Sequence, residues 1–202
     1  VAALKFVSNS NIRFFVMGGG SNLLFLDEGF PGLVIQNEAG KIKSTGNRLE
    51  VDAGYDLHGV VRYTCKQGLR GMAKMSWIPG KVGGAVYGNA GAHGVNMSDL
   101  VVTVEVFDFK TGQVKVMDKA DCKFEYRQSI FKNNKDLVIL RVTLELATGI
   151  PEKLLAECED IKNTRQDKLP RLPSAGCVFK NVSRSFAKKN NRLQEVIRDL
   201  PD

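Results

Sequence analysis

The sequence is poor in residues that bind transition metals: among its 202 residues there are two histidines and four cysteines. No two cysteines form a C-x-x-C pair, and no histidine has the spacing from a cysteine that zinc sites use. We therefore expect no metal site. Scattered single cysteines are typical of a reducing compartment, so we expect a cytoplasmic protein in which Cys65, Cys122 and Cys158 are small core residues.

Long apolar runs are also missing. No stretch approaches the roughly 20 residues that a membrane-spanning helix needs, and no charged-then-apolar leader stands at the start. The chain starts inside a helical pattern at residues 1–11 and ends in another at Arg192–Leu200, which is too short to bury its own apolar face. We therefore expect a protein that does not enter the membrane and that is cut at both ends.

The common nucleotide fingerprints are absent, but two glycine-rich segments are present. G-x-G-x-x-G fails at Leu23, and the P-loop pattern fails because valine follows Lys81. We predict that both segments are loops, at Gly18–Leu23 and at the longer Ile78–Gly94. Glycine lets a ligand approach the backbone closely, and successive N–H groups form concave sites for anions. Two such segments predict a ligand with two phosphates, although tight turns alone would also explain glycines.

Most of the remaining patterns are short strands separated by turns. Apolar runs or alternating apolar and polar residues predict strands at Ile12–Met17, Leu33–Gln36, Leu49–Ala53, Val101–Asp108, Gln113–Met117 and Leu137–Leu146. A helical period predicts helices at Leu57–Gln67 and Lys153–Thr164. No regular alternation of strand and helix occurs, so the predicted class is α+β.

The net charge of +7 permits a polyanion partner. Many basic residues stand late in the chain, at 165–171 and 184–192, without an RNA-recognition or helix-turn-helix pattern. A small anionic ligand such as a nucleotide diphosphate explains the same excess, and so does a solvated surface. Charge alone therefore does not choose between these functions.

Taken together, four blocks in this order resemble the FAD-binding domain of the p-cresol methylhydroxylase/vanillyl-alcohol oxidase type. Within that type the chain resembles the MurB family, the UDP-N-acetylenolpyruvoylglucosamine reductases of peptidoglycan synthesis. The last two blocks are the more specific to the reductases, and the resemblance covers nearly the whole chain. The blocks are GGGSNLL (Gly18–Leu24), IPGKVGGAVYGNAGAHG (Ile78–Gly94), YRQSIFK (Tyr126–Lys132) and PSAGCVFKN (Pro173–Asn181).

The resemblance implies a fold and a chemistry. The fold is α+β, an FAD-binding PCMH-type domain of two α/β subdomains over residues 1–147, followed by the start of a C-terminal substrate-binding α/β domain over 148–202. NADPH reduces FAD, and the reduced flavin passes hydride to the enolpyruvyl group of a UDP-sugar, giving UDP-N-acetylmuramate. The expected partners are therefore this UDP-sugar enolpyruvyl ether and NADPH, with no nucleic acid and no membrane, and the protein is expected to be a monomer.

The resemblance also assigns roles to residues. Arg127 takes the place of the active-site arginine that faces the developing negative charge. Cys177 takes the place of the proton donor, which is serine in many members; a thiol gives up its proton far more easily than a hydroxyl. Tyr126, Lys168 and Asn181 match substrate-binding positions. The implied cofactor-binding residues are Gly18, Gly19, Gly20, Ser21, Asn22, Leu23, Ile78, Pro79, Gly80, Val82, Gly83, Gly84, Ala85, Asn89, Ala90, Gly91 and Gly94.

This chain departs from the family's pattern, and two other functions are also compatible with its sequence. The family's second acid, a glutamate near the C-terminus, has no match before Asp202, and the N-terminal strand that normally begins the flavin domain is missing as well. We therefore expect this chain alone to bind FAD poorly and to lack turnover. Another FAD-dependent oxidase of the superfamily is one alternative, although such oxidases lack the PSAGCVFKN block. A basic module that binds nucleic acid or another polyanion is the other, and it predicts salt-sensitive binding without a yellow cofactor.

Overall fold

A computed structural model describes residues 1–168, 174–177 and 179–181, with side chains described up to residue 165 in the last helix. The α-helices of this part are α1 (Ala2–Ser8), α2 (Leu57–Lys66), α3 (Val82–Tyr87), α4 (Met97–Leu100), α5 (Ile130–Asn133) and α6 (Pro151–Lys168), with a 3-10 turn at Ala73–Met75. The strands are β1 (Phe14–Met17), β2 (Leu33–Gln36), β3 (Ile42–Thr45), β4 (Arg48–Asp52), β5 (Leu69–Arg70), β6 (Gly91–Ala92), β7 (Val95–Asn96), β8 (Val101–Asp108), β9 (Gln113–Asp118), β10 (Leu137–Glu145) and β11 (Ala147–Thr148).

The described elements form two layers. The larger layer is built around a five-stranded antiparallel sheet in the order β3-β4-β10-β8-β9. Strand β10 places Leu144 opposite Leu49 of β4, and it places Val142 opposite Val104 of β8. All four side chains are fully buried. Because side chains alternate between the faces of a strand, these apolar residues define the core face of the sheet.

Helices α2 and α6 pack together in the same core. Helix α2 begins at Asp56, whose carboxylate accepts a hydrogen bond of 2.7 Å from the Gly59 N–H. It ends just before Gly68, which has a φ of 67°, a conformation that favours glycine after a helix. Helix α6 contributes Leu154 and Cys158 to the core that α2 also lines. The sequence places α6 in a second domain, and that boundary after residue 147 stays a prediction.

A smaller layer consists of α1 and the parallel pair β1 and β2. Phe14 of β1 lies opposite Leu33 of β2, and α1 buries Leu4 and Val7. The two layers agree with the predicted α+β class and with two α/β subdomains.

Most predicted elements are found with boundaries shifted by a few residues. The main correction concerns residues 78–94, which the glycines predict to be a loop. This segment contains the six-residue helix α3 and the hairpin of β6 and β7. The predicted helix at Arg192–Leu200 lies outside the described residues.

The described residues contain neither a helix suited to crossing a membrane nor a cluster suited to a metal ion. None of the helices in this part is long and apolar enough to cross a membrane. Across the same residues, no group of three or more histidine, cysteine, aspartate or glutamate side chains is arranged to hold a metal ion.

Candidate functional site

The two glycine segments lie against each other. The Ser21 hydroxyl donates a hydrogen bond of 3.2 Å to the Pro79 carbonyl. A Cβ on Gly18 would come within 2.9 Å of the Lys81 Cγ, and a Cβ on Gly80 would come within 2.7 Å of the Ser21 Oγ. Both distances are shorter than carbon and oxygen atoms tolerate, so glycine is required where these segments meet.

The longer segment is fastened to the end of β4 by its backbone. The N–H of Val82 donates to the Tyr55 carbonyl at 3.0 Å, and the N–H of Gly83 donates to the Ala53 carbonyl at 2.8 Å. These two amides therefore have backbone acceptors already, and they are not the free donors that the glycine pattern suggests. The side chains of Val82 and Ala85 are also buried in the core.

Two adjacent glycines of α3 have different surroundings. A Cβ on Gly83 would lie 2.9 Å from the Ala53 Cβ, so this glycine allows α3 to pack on β4. A Cβ on Gly84 would meet no atom within 4 Å. Gly84 therefore leaves backbone accessible on the open side of the helix, where a ligand can approach closely.

The remaining predicted cofactor residues lie in the same two segments. Gly20 and Gly94 have φ values of 70° and 80°, which favour glycine. Leu23 closes a turn by donating its N–H to the Gly20 carbonyl at 3.0 Å. The other members of the set are Gly19, Asn22, Ile78, Asn89, Ala90 and Gly91.

Arg127 lies at the tip of a tight hairpin. Glu125 and Gln128 exchange two backbone hydrogen bonds of 3.1 Å, which leaves Tyr126 and Arg127 as the turn. Arg127 has a φ of 54°. An L-residue with a side chain pays roughly 1–2 kcal/mol for this left-handed conformation, and such strain is concentrated at functional sites.

The guanidinium of Arg127 is held by backbone carbonyls of the longer glycine segment. Nη2 donates to the Gly91 carbonyl at 2.7 Å, and Nη1 approaches the Asn89 carbonyl at 3.3 Å. The guanidinium carbon also lies 5.4 Å from the ring centre of Tyr126. These contacts fix the positive charge beside the longer glycine segment.

Asn89 and Ser129 join the hairpin to the glycine segment. The Asn89 side chain donates to the Glu125 carbonyl at 2.9 Å and accepts from the Ser98 N–H at 2.9 Å. The Ser129 hydroxyl donates to the Tyr87 carbonyl at 2.6 Å. Asn89 is predicted to bind the cofactor, but its buried side chain makes these hydrogen bonds within the chain. The observed role of the side chain is to position the hairpin.

Replacing Asn89 with alanine is expected to lower the free energy of unfolding by about 1–3 kcal/mol, because the partly buried Ser98 N–H and Glu125 carbonyl lose their hydrogen-bond partner. Urea unfolding followed by circular dichroism measures the change. Asn47→Ala is the control, because the Asn47 amide makes one long, exposed contact of 3.5 Å with Glu145, and it should cost less than about 0.5 kcal/mol. Equal losses in the two variants would contradict the positioning role.

A group of cations surrounds Arg127. The Lys132 ammonium donates to the Arg127 carbonyl at 2.8 Å. Burial lowers the pKa of Lys132, and the nearby charges of Lys180, Lys135 and Arg127 lower it further. Within the described residues, none of these four cations belongs to an ion pair with a carboxylate. The sequence prediction missed Lys132 and Lys135 as site residues, because one lysine in a basic chain has no distinctive pattern.

The segment that carries Cys177 lies close to this region. A Cβ on Gly176, which has a φ of 82°, would lie 3.6 Å from the Asn22 Oδ1 of the first glycine segment. Cys177 is exposed, and so is Asn181. Lys180 is near enough to Lys132 to affect its pKa. The described residues 174–177 and 179–181 therefore approach the first glycine segment at Gly176 and Lys132 at Lys180. The side chain of Lys168, a predicted substrate contact, lies outside the described residues.

Comparisons with known proteins agree with this geometry. The FAD binding domain family matches residues 1–118. A UDP-N-acetylenolpyruvoylglucosamine reductase of Solibacter usitatus is 37% identical over 182 residues, which are 90% of this chain and 58% of the relative. The same enzyme of Bacillus subtilis is 34% identical over 178 residues, 87% of this chain and 58% of the relative.

A solved structure gives the same result for the fold. The crystal structure of UDP-N-acetylenolpyruvylglucosamine reductase (MurB) from Thermus caldophilus superposes with a TM-score of 0.76 at 34% identity. The match covers 90% of this chain and 65% of the other, so the chain spans less than two thirds of these relatives. The chain therefore belongs to the FAD binding domain family, and its relatives carry the name UDP-N-acetylenolpyruvoylglucosamine reductase.

Proposed function

We propose that this chain is the FAD-holding part of a UDP-N-acetylenolpyruvoylglucosamine reductase, which converts its substrate to UDP-N-acetylmuramate. One observation carries the proposal: two glycine segments in mutual contact lie beside both a fixed arginine and an exposed thiol. The names of the relatives support the reductase over another oxidase of the superfamily. The basic residues at 184–192, which suggested a polyanion partner, lie outside the described residues.

The residues present fit FAD. The contact between Ser21 and Pro79 joins the two segments into one surface, and Gly84 leaves open the space that a Cβ would fill. We assign the diphosphate to this surface, with Gly19, Gly20 and Asn22 on one side. FAD, when bound, supplies the hydride. The protein's task is then to hold the substrate against the flavin and to manage charge and protons.

Arg127 stabilises negative charge on the substrate. Addition of hydride to the enolpyruvyl group builds charge next to its carboxylate, and a guanidinium that is already oriented needs no reorganisation to meet it. The carbonyls of Gly91 and Asn89 provide that orientation. Lys132 and Lys180 add positive potential that favours binding of an anionic substrate.

Cys177 donates the proton that completes the reduction. Its thiol lies on the exposed segment next to Asn22, where a substrate above the flavin surface is within reach. Proton donation to the carbon beside the carboxylate discharges the enolate that Arg127 has stabilised. Arginine and cysteine thereby act in sequence on the same carbon framework.

Several finer assignments belong to the same proposal. NADPH is proposed as the electron donor, Tyr126 and Asn181 as substrate contacts, and Lys168 as a further contact from the end of α6. A substrate-binding domain that starts after residue 147, a cytoplasmic location and a monomeric state stay predictions of the resemblance.

The pair Gly83 and Gly84 tests the FAD site. Gly84→Ala is expected to weaken FAD binding at least about 10-fold, because the added methyl group occupies space that the ligand needs, while stability stays equal or rises by up to about 1 kcal/mol. Gly83→Ala is the matched variant and is expected to lower stability by about 1–3 kcal/mol, because its methyl group meets Ala53. Titration with FAD, followed by the visible flavin absorbance, measures affinity in the 202-residue chain. Unchanged affinity in Gly84→Ala would place the ligand elsewhere.

A further inference from the structure

Two cysteines that the proposed reaction does not use are in contact inside the core. The sulfurs of Cys65 in α2 and Cys158 in α6 lie 3.2 Å apart, although 93 positions separate the residues in the chain. Cys65 is fully buried, and Cys158 keeps 6% of its surface exposed. Both are free thiols. The sequence predicts small core residues at both positions, which is correct, but it does not predict that they meet.

The contact gives the two thiols unequal acidity. The hydrogen bond between them raises the pKa of Cys65 and lowers the pKa of Cys158, so Cys158 is the one that ionises. Burial and the neighbouring Glu157 oppose the ionisation of Cys158. The thiolate is the nucleophile in thiol oxidation, so Cys158 is the reactive member and Cys65 is the resolving thiol.

The other two cysteines provide an internal comparison. Cys122 is buried without a second sulfur, and its thiol donates to the Asp118 carbonyl at 3.4 Å. Burial raises the pKa of Cys122 to about 11, which makes it inert. Cys177 is exposed and has no sulfur partner in the described part of the chain. Within the described residues, Cys65 and Cys158 are therefore the cysteines whose sulfurs are in contact.

We propose that Cys65 and Cys158 form a dithiol site that small hydroperoxides convert to an intrachain disulfide between α2 and α6. The Cys158 thiolate attacks one peroxide oxygen, the O–O bond breaks, and a sulfenic acid and water or an alcohol form. The Cys65 sulfur then attacks the sulfenic sulfur, the S–S bond forms, and water leaves. The two thiols lose two electrons and the peroxide gains two, so one peroxide molecule is reduced for each disulfide that forms.

The two sulfurs already lie close to bonding distance. A disulfide has a sulfur–sulfur distance of about 2.05 Å, so the two sulfurs need to approach by about 1 Å from their contact. The helices are already packed on each other through the core. The cross-link would fix α6, the helix that leads toward the segment of Cys177, onto the body of the FAD-binding part.

Mass spectrometry of the reduced 202-residue chain tests the site. The chain is treated with hydrogen peroxide, quenched with N-ethylmaleimide and analysed intact and after digestion. We expect one cross-linked peptide pair that contains Cys65 and Cys158, about 2 Da lighter than the sum of the two unmodified peptides because two hydrogens are lost. The cross-link should raise the unfolding temperature, because it restricts the unfolded chain.

Variants and an internal standard separate the outcomes. Cys122→Ala should retain the cross-link, and Cys65→Ala should lose it. Oxidation of the exposed Cys177 reports that the peroxide has reacted in each sample. The proposal is overturned if Cys177 is oxidised in the native wild-type chain while Cys65 and Cys158 are both recovered as free thiols. This test reads chemistry at the core and is independent of FAD binding, so it stands or falls separately from the reductase assignment.

Discussion

Replacing Arg127 with methionine should slow hydride transfer from the reduced flavin to the enolpyruvyl sugar by about 10³-fold. Loss of one preorganised donor to a developing oxyanion costs about 10²- to 10³-fold, and the full positive charge of arginine places the effect at the upper end. Methionine preserves length and apolar packing while it removes the hydrogen bonds to Gly91 and Asn89. Reduction of the flavin by NADPH should be unaffected, because the substrate is absent from that half-reaction.

Stopped-flow absorbance measures the two half-reactions separately, in the complete protein that carries this sequence. Arg48→Met is the matched control, because Arg48 makes only a long, exposed ion pair of 3.9 Å with Glu145, a kind worth less than about 1 kcal/mol. Arg127→Lys should recover part of the rate, since it keeps the charge but not the forked geometry. A rate of flavin reoxidation in Arg127→Met equal to that of Arg48→Met would remove Arg127 from the chemistry.

Replacing Cys177 with alanine should leave flavin reduction intact and slow reoxidation by the substrate by about 10²- to 10⁴-fold, the range that general acid catalysis contributes. Alanine removes the acidic proton and adds no bulk. Because Cys177 is exposed, the substitution should leave stability within about 0.5 kcal/mol of the parent, which separates a chemical effect from unfolding.

Two further variants define the role of the thiol. Cys177→Ser should retain much of the activity, because a hydroxyl in the same position also donates a proton. Cys122→Ala is the control for loss of a thiol elsewhere, since Cys122 is buried and its thiol donates a hydrogen bond to the Asp118 carbonyl. Reoxidation at the parental rate in Cys177→Ala would show that another group is the donor.

The regular part of the fold could be predicted from the sequence because local patterns determine it. The alternation of apolar and polar residues in β8 is strong enough to predict both ends of the strand correctly. Gly68 likewise indicates where α2 ends. Helix α3 was not predicted because it contains two adjacent glycines, and each glycine destabilises a helix by about 1 kcal/mol relative to alanine. Its formation depends on hydrogen bonds to Ala53 and Tyr55, which are contacts with a distant part of the chain. Two-residue strands such as β5 and β11 carry no periodicity at all.

The candidate site, like the fold, could be predicted only where nearby residues determine it. The blocks that contain Arg127 and Cys177 are recognisable by their residues. The contacts that give the blocks a geometry are not, because they join segments far apart in the chain. The bond from Arg127 to Gly91 spans 36 positions, and the buried amide of Asn89 serves a hairpin 36 positions away. Hydrogen bonds of this kind follow from the completed packing and leave no local pattern.

The central position of β10 has a consequence for the order in which the chain is synthesised. During translation the hairpin of β3 and β4 and the hairpin of β8 and β9 both precede β10, and the two hairpins meet only through it. A nascent chain shorter than residue 137 therefore carries separate hairpins with unpaired edges, the type of surface that promotes aggregation. The region matched by the FAD binding domain family ends at residue 118, so a piece cut at that boundary would lack the strand that joins its sheet. We therefore expect the five-stranded sheet to become complete only after β10 has left the ribosome.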